Sequence, residues 1–343
     1  MDRIRWGVLG TSGIARQVIT AVRADGDASP AQFVAVGGRD AQRTAAYAAE
    51  SGLTPRSYEE LLADPGVDAV YVTLPIALHT EWTVRALEAG KHVLCEKPLA
   101  TSETDAATSF DAAHGSGRTL VEGFMYRLHP RTRLVRRLIA QGAVGEVTHV
   151  RAVLSVSVPA TDIRRSGPLG GGAHLDLGCY CVSAIRMFGG EPDRVHAEQF
   201  ADPAAAARGE DVDLRLTATT RTPAGVLGQF DVGLDLPRRD ELVVTGTAGV
   251  LTVTDPWICR PATVELTQDG RTRSLPVDPT GEFGLTGEEG DPYRLEFRTV
   301  SQDLLSGTEP EYGRTDALAQ ARVLAAVGAA RHGEAVRIEQ VGA

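Results

Sequence analysis

His92-Val93-Leu94-Cys95-Glu96-Lys97-Pro98 decides how this chain is built. The apolar run His92–Cys95 follows Gly90, a residue of the kind that stops helices, and hands straight on to Glu-Lys-Pro. A strand ending this way sets a cation at the carboxyl edge of a sheet, where ligands of open parallel sheets bind. Pro98 lacks an N–H and fixes its own φ, which stiffens the lysine backbone. From there Lys97 can support the negative charge left when a C–OH loses hydride, or polarise a C=O that gains it. In isolation the tetrapeptide reads as an exposed turn. Its surroundings reverse that.

Strand and helix alternate around it. Ile4–Leu9 reads as a buried strand, and Ile14, Val18 and Val22 then recur at helical spacing. Gln32–Gly38 is a second strand, with Asp40 an N-cap for the alanine-rich helix that follows. Glu59–Leu62 is a helical turn. Val67–Leu74 is a near-continuous apolar strand, as expected when both faces are covered. Helices over His79–Glu88 and Glu103–His114 flank the lysine strand, and the second leads to the strand Thr119–Glu122. Repeated βα units predict an α/β fold with a doubly wound parallel sheet.

Further on, Glu146–Val158, Val212–Thr220, Val226–Leu234, Glu241–Thr245 and Val250–Val253 alternate or are β-branched between turn signals, which predicts an antiparallel meander. Asp162–Gly172, with Arg164, Arg165 and Gly170-Gly171-Gly172, reads as a mobile loop over a pocket. Helices over Tyr293–Leu305 and Thr315–Arg331 close the chain. The expected division is a dinucleotide-binding domain over 1–124 and a second domain over 125–343, with the last helices returning to the first.

Composition narrows the function. The chain has 343 residues, 43% hydrophobic and 23% charged, as in ordinary globular proteins of two domains. Its net charge of -10, from 35 basic and 45 acidic residues, argues against nucleic acid or an acidic membrane as partner. No apolar run approaches the ~20 residues of a membrane span. The first residues enter a strand at once, without a signal-peptide core, so a cytoplasmic location is expected. None of the four cysteines (Cys95, Cys179, Cys181, Cys259) forms a zinc-type pair, so reduced thiols and no metal are expected.

The turn Gly7-Val8-Leu9-Gly10-Thr11-Ser12-Gly13-Ile14-Ala15 follows the first strand and opens a helix. Set against G-x-G-x-x-G/A it gives Gly10, Ser12 and Ala15. The middle glycine is replaced, and Gly13 stands beside it. Small residues there let the backbone of Gly10, Thr11, Ser12, Gly13 and Ile14 approach a pyrophosphate at a helix N-terminus. The second strand ends Gly38-Arg39-Asp40. An NAD site usually places an acid at this point. Arg39, a permanent planar cation, suits a 2′-phosphate, and Arg43 lies one turn on. Asp40 serves either as ribose acceptor or as helix cap. NADP is therefore favoured over NAD.

With these residues in hand, the chain resembles the Gfo/Idh/MocA oxidoreductase family. The motifs are Gly10-x-x-x-Ile14-Ala15, Glu96-Lys97-Pro98, Glu122-Gly123-Phe124-Met125-Tyr126-Arg127-x-His129-Pro130, and Gly170-Gly171-Gly172-x-x-x-Asp176-x-Gly178-x-Tyr180. The likeness is greatest to the branch of glucose-fructose oxidoreductase, dimeric dihydrodiol dehydrogenase, NADP-dependent xylose dehydrogenases and nucleotide-sugar 3-ketoreductases. It implies a Rossmann domain, then an α/β domain with a large, open, mostly antiparallel sheet, and pairing into a homodimer or homotetramer. It implies Lys97 as active-site lysine with a cis bond to Pro98, Glu96 on the nicotinamide side, Tyr180 as catalytic tyrosine, and Asp176 holding substrate or orienting the pair. Leu74 and His79 belong to the same cofactor stretch, and Ile76 stands there where many members have asparagine.

Read from the residues alone, Ala173–Phe188 is a helix that puts Asp176 and Tyr180 on one face at i, i+4. A phenol can move the proton of the reacting oxygen, with a neighbouring ammonium supporting its charge. His79 serves as structural cap or ligand, and His174 as substrate contact or solvated side chain. Arg127 binds substrate or braces the interdomain crossing, and Arg164 is a further substrate candidate. Two function classes follow. One is an NADP-dependent oxidoreductase acting on a sugar or nucleotide-sugar; the other is a catalytically silent NADP-binding sensor. Retention of both Lys97 and Tyr180 favours the first.

Overall fold

The computed structural model describes residues 2–260, 263–277 and 290–339. Among the described residues six strands pair first: β1 (Ile4–Leu9), β2 (Ala31–Gly37), β3 (Thr54–Arg56), β4 (Ala69–Val72), β5 (His92–Glu96) and β6 (Leu120–Gly123), all with apolar runs except the short, largely exposed β3. Their order is β3-β2-β1-β4-β5-β6, and every pairing is parallel. Between them run α1 (Gly13–Arg23), α2 (Ala41–Ser51), α3 (Tyr58–Ala63), α4 (His79–Glu88) and α5 (Glu103–Ser116). All four residues of β4 are buried, as a strand covered on both faces requires. Caps fix the helix starts. Ser57 and Glu60 form a full capping box on α3, and Ser102 caps α5.

The chain then forms α6 (Met125–Leu128), α7 (Pro130–Ala140) and, among the described residues, nine further strands. These are β7 (Val147–Ser157), β8 (Arg194–Ala201), β9 (Asp213–Arg221), β10 (Leu227–Gly233), β11 (Asp235–Gly246), β12 (Val250–Thr254), β13 (Thr263–Gln268), β14 (Arg271–Pro276) and β15 (Val336–Arg337). The sheet is mostly antiparallel but is not a plain meander. β7, first in sequence, lies between β11 and β10 and runs parallel to β10. Period-two alternation identifies a strand and its buried face, but not its neighbour. β8, β13 and β14 fall outside the runs singled out from sequence. They lie toward the sheet's margins with many exposed positions, so their apolar signal is short.

The remaining helices of the described residues are α8 (Cys179–Gly189), α9 (Pro203–Ala206), α10 (Pro292–Ser306) and α11 (Arg314–Ala330). The chain divides into two compact units, Met1–Met125 with Asp291–Leu318, and Tyr126–Gly290 with Ala319–Ala343. In the first, α10 covers the parallel sheet. Phe297 packs edge-on against Trp6 and Tyr71, each at 5.0 Å between ring centroids, and Trp6 Nε1 donates to Ser301 Oγ at 3.0 Å. Burying such a phenyl ring contributes about 2 kcal/mol. Burial raises the Asp25 carboxyl, but hydrogen bonds from Arg294 and Arg298 of α10 outweigh this and hold it below its ordinary range. In the second unit, α8 packs across β7 and β10. No helix of the described residues is long and apolar enough to cross a membrane.

Candidate active site

The order of the parallel sheet reverses at β1, so its switch point lies at the carboxyl ends of β1 and β4. The glycine-rich turn sits there. Gly10 has φ +112°, and a Cβ on it would stand 2.9 Å from Thr73 Oγ1, so both conformation and space call for glycine. Ser12 caps α1: its Oγ accepts from Ala15 N–H at 3.1 Å and donates to Thr73 Oγ1 at 2.9 Å. The Thr73 hydroxyl in turn donates to Leu9 O at 3.0 Å. The first turn of α1 holds no acid, and nothing lies within 4 Å of where a Gly13 Cβ would be. The backbone from Thr11 to Ile14 thus presents an open helix start that fits a pyrophosphate.

Arg39 and Arg43 are exposed beyond β2, and Arg43 Nε donates to Thr11 Oγ1 at 2.8 Å. Of the two readings of Asp40, the cap is the one made: its carboxylate accepts from Arg43 N–H at 2.7 Å. Leu74 follows β4 and is buried, and Ile76 starts a short 3₁₀ turn. His79 is buried with no face toward solvent. Its Nδ1 lies 2.8 Å from Pro98 O and its Nε2 2.8 Å from Leu74 O. The ring is a tie between two backbone carbonyls rather than an open ligand or a cap. A neutral imidazole can donate to only one of the two carbonyls, and burial lowers its pKa.

Lys97 is half-buried at the end of β5, and its bond to Pro98 is cis. Glu96 Oε2 accepts the Lys97 N–H at 3.3 Å, and the Tyr71 hydroxyl donates to Glu96. Burial, and then the charge of Glu96, push the Tyr71 phenol well above its ordinary range. The same two causes push up the buried Glu296 carboxyl of α10.

In the second unit the residues around Asp176 differ from the sequence reading. His174–Gly178 is a π-helical turn, and the α-helix begins only at Cys179. Over five residues apolar spacing does not separate a 3.6-residue period from a wider one. Such turns recur at functional sites. The Asp176 carboxylate is 3.9 Å from Arg164 Nη1, while Arg164 is bidentate to Asp162 at 2.8 Å on each arm. Tyr180 is buried, its ring 5.5 Å from Trp257 and 6.0 Å from Tyr126. Arg127 is buried as well, with Nε donating to Ser183 Oγ at 2.9 Å.

His174 is not solvated. Its Nδ1 lies 2.6 Å from Asp213 Oδ1, and its backbone N–H donates to Asp213 Oδ2 at 2.7 Å. Nor does the loop over Asp162–Gly172 hang loose. Arg165 pairs with the buried Asp202 at 2.6 Å, and Gly167 N–H donates to Glu210 at 2.9 Å. Thr73, Tyr71 and Asp213 went unnoticed in the sequence. Thr73 lies inside a strand already assigned, where a threonine signals nothing. Asp213 lies 39 residues from His174, and no spacing rule links them.

Comparison with known proteins follows this division. Residues 4–124 match the model of an oxidoreductase family with an NAD-binding Rossmann fold, and residues 132–252 match the GFO/IDH/MocA C-terminal domain. A D-xylose 1-dehydrogenase (NADP(+)) from Haloferax volcanii is 36% identical over 97% of this chain and 99% of its own length. A dTDP-3,4-didehydro-2,6-dideoxy-alpha-D-glucose 3-reductase from Actinomadura kijaniata is 33% identical over 94% of each chain. The crystal structure of a 3-ketoreductase from Actinomadura kijaniata with NADP and TDP-benzene superposes with a TM-score of 0.84 at 31% identity, covering 96% of this chain and 98% of that one. With both halves matched in order and full-length relatives on record, this protein is a member of the Gfo/Idh/MocA oxidoreductases.

Proposed function

We propose that this protein is an NADP-dependent oxidoreductase that moves hydride between the nicotinamide and a carbonyl or hydroxyl carbon of a sugar or sugar derivative. The carrying observation is the end-to-end match to enzymes named for NADP and for a free or nucleotide-linked sugar. NADP would supply the hydride acceptor or donor. The chain's own residues supply the rest. Gly10, Thr11, Ser12, Gly13 and Ile14 take the pyrophosphate on the start of α1, and Arg39 with Arg43 takes the 2′-phosphate. Leu74 and Glu96 border the nicotinamide.

Lys97 holds positive charge at the reacting oxygen. Tyr180 gives or takes the proton of that oxygen, and Asp176 anchors a sugar hydroxyl or orients the pair. Arg164, beside Asp176, is the substrate contact the geometry supports best; Arg127 and His174 act as braces through Ser183 and Asp213. A homodimer or homotetramer in the cytoplasm completes the reading.

The test is a turnover screen of the purified chain with NADP+ or NAD+ against D-xylose, D-glucose and dTDP-linked sugars, followed by reduced-nicotinamide absorbance. Reduction of NADP+ by at least one of them is expected. Absence of both NADP binding and turnover would overturn the reading.

A further inference from the structure

β5 and β6 run in register with Cys95 opposite Glu122. From that position Glu122 Oε1 accepts the backbone N–H of Leu99 at 2.8 Å, in a buried setting. On the other side His79 Nδ1 lies 2.8 Å from Pro98 O. The Pro98 carbonyl and the Leu99 amide are the two edges of one peptide plane. That plane is therefore gripped from both ends, by a side chain from β6 and by one from α4. A peptide plane held at both edges cannot turn about its Cα–Cα axis. It is also the plane directly after the Lys97–Pro98 bond, so its orientation fixes the frame from which the lysine side chain departs. His79 Nε2 also lies 2.8 Å from Leu74 O at the end of β4; with its proton on Nδ1 the neutral ring donates to Pro98 O.

We propose that Glu122 and His79 are positioning residues for Lys97, setting the direction of its side chain by gripping the Pro98–Leu99 peptide plane. The proposal rests on the reading of Lys97 as catalytic. Neither side chain need touch substrate. Misplacing a catalytic group by about 1 Å is enough to cost 10²-fold in rate. A merely structural role would also destabilise the protein, because the Leu99 N–H would lose its buried acceptor. The two roles differ in whether the loss passes through the lysine.

The test uses the full chain with bound NADP and the sugar turned over fastest in the screen above. Glu122→Ala removes the acceptor for Leu99. Glu122→Gln keeps a carbonyl oxygen in its place and serves where the alanine variant folds poorly. Amide exchange of Leu99 should quicken in Glu122→Ala and stay near the parent rate in Glu122→Gln. Hydride transfer should fall by about 10²-fold in Glu122→Ala, with NADP affinity little changed and much of the rate restored in Glu122→Gln. His79→Leu should lose rate in the same way. In a Lys97→Ala background the Glu122→Ala loss should vanish, since the lysine it positions is gone. Unchanged Leu99 exchange, or an equal loss in both backgrounds, overturns the proposal. Full turnover by Lys97→Ala itself would sink the catalytic reading of Lys97, and the positioning role with it, even where exchange shows the grip intact.

Discussion

The parallel sheet and the mixed sheet hold their candidate residues by different means. In the parallel sheet four of them lie within a few positions of a strand's carboxyl end: Gly10 after β1, Arg39 after β2, Leu74 after β4 and Lys97 after β5. In the second unit they lie on α6, a 3₁₀ turn, a π-turn and α8, and partners distant in the chain hold two of them: His174 by Asp213 and Arg127 by Ser183. A βα unit places its functional end by local order. A mixed sheet places it by pairings that local order does not contain.

The largest expected effect breaks the comparison from the first side. If strand-end placement matters because it carries the charge for chemistry, Lys97→Ala should lose about 10²–10³ in turnover with little change in NADP affinity. Steady-state kinetics beside a cofactor titration checks this.

The second prediction concerns how the other unit is held. His129 caps α7. Its Nδ1 accepts the Arg131 N–H at 3.1 Å and its Nε2–H donates to Gly290 O at 3.0 Å, so the neutral ring satisfies both partners. Burial pushes its pKa down from 6.5 to about 4. The unfolded chain therefore binds this proton first as pH falls. The stability tied to the neutral ring is full above pH 6.5 and is lost between 6.5 and about 4, a total of roughly 3 kcal/mol. Urea midpoints across that window should fall more steeply for the parent than for His129→Gln. Equal slopes would refute the assignment.

A third effect, of about 2 kcal/mol, sharpens the cofactor side. Arg39→Asp should erase or reverse the preference for NADP over NAD, because a charge-assisted hydrogen bond to a 2′-phosphate is replaced by repulsion. Equal affinities for the two cofactors in the parent protein would defeat it. The smallest is Ser12→Ala. It removes the N-cap of α1 and should cost about 1 kcal/mol in thermal or urea unfolding.

The same contrast explains what was legible in the sequence. The parallel sheet, the glycine-rich turn after its first strand, the Arg39 cation and the Glu-Lys-Pro strand end could be read because each is a run or a strand end with its own period and punctuation. The cap role of Asp40 is local too, yet sequence left it open beside ribose binding. The place of β7 between β10 and β11 could not be read, since alternation carries no information on neighbours. His79 was read as cap or ligand because its two carbonyl partners are backbone atoms, which no residue pattern reveals. The π-turn under Asp176 escaped for a related reason: it changes hydrogen bonding without changing the run of apolar residues.

The central proposal is that Lys97 and Tyr180 serve one hydride transfer. Single-turnover reduction of NADP+ by the selected sugar, in the parent, Lys97→Ala, Tyr180→Phe and the double variant, tests it most directly. Each single change should cost about 10²–10³, and the double should cost far less than the product of the two, as for groups that act as a unit. A near-full rate in Tyr180→Phe, or losses that simply multiply, would contradict it.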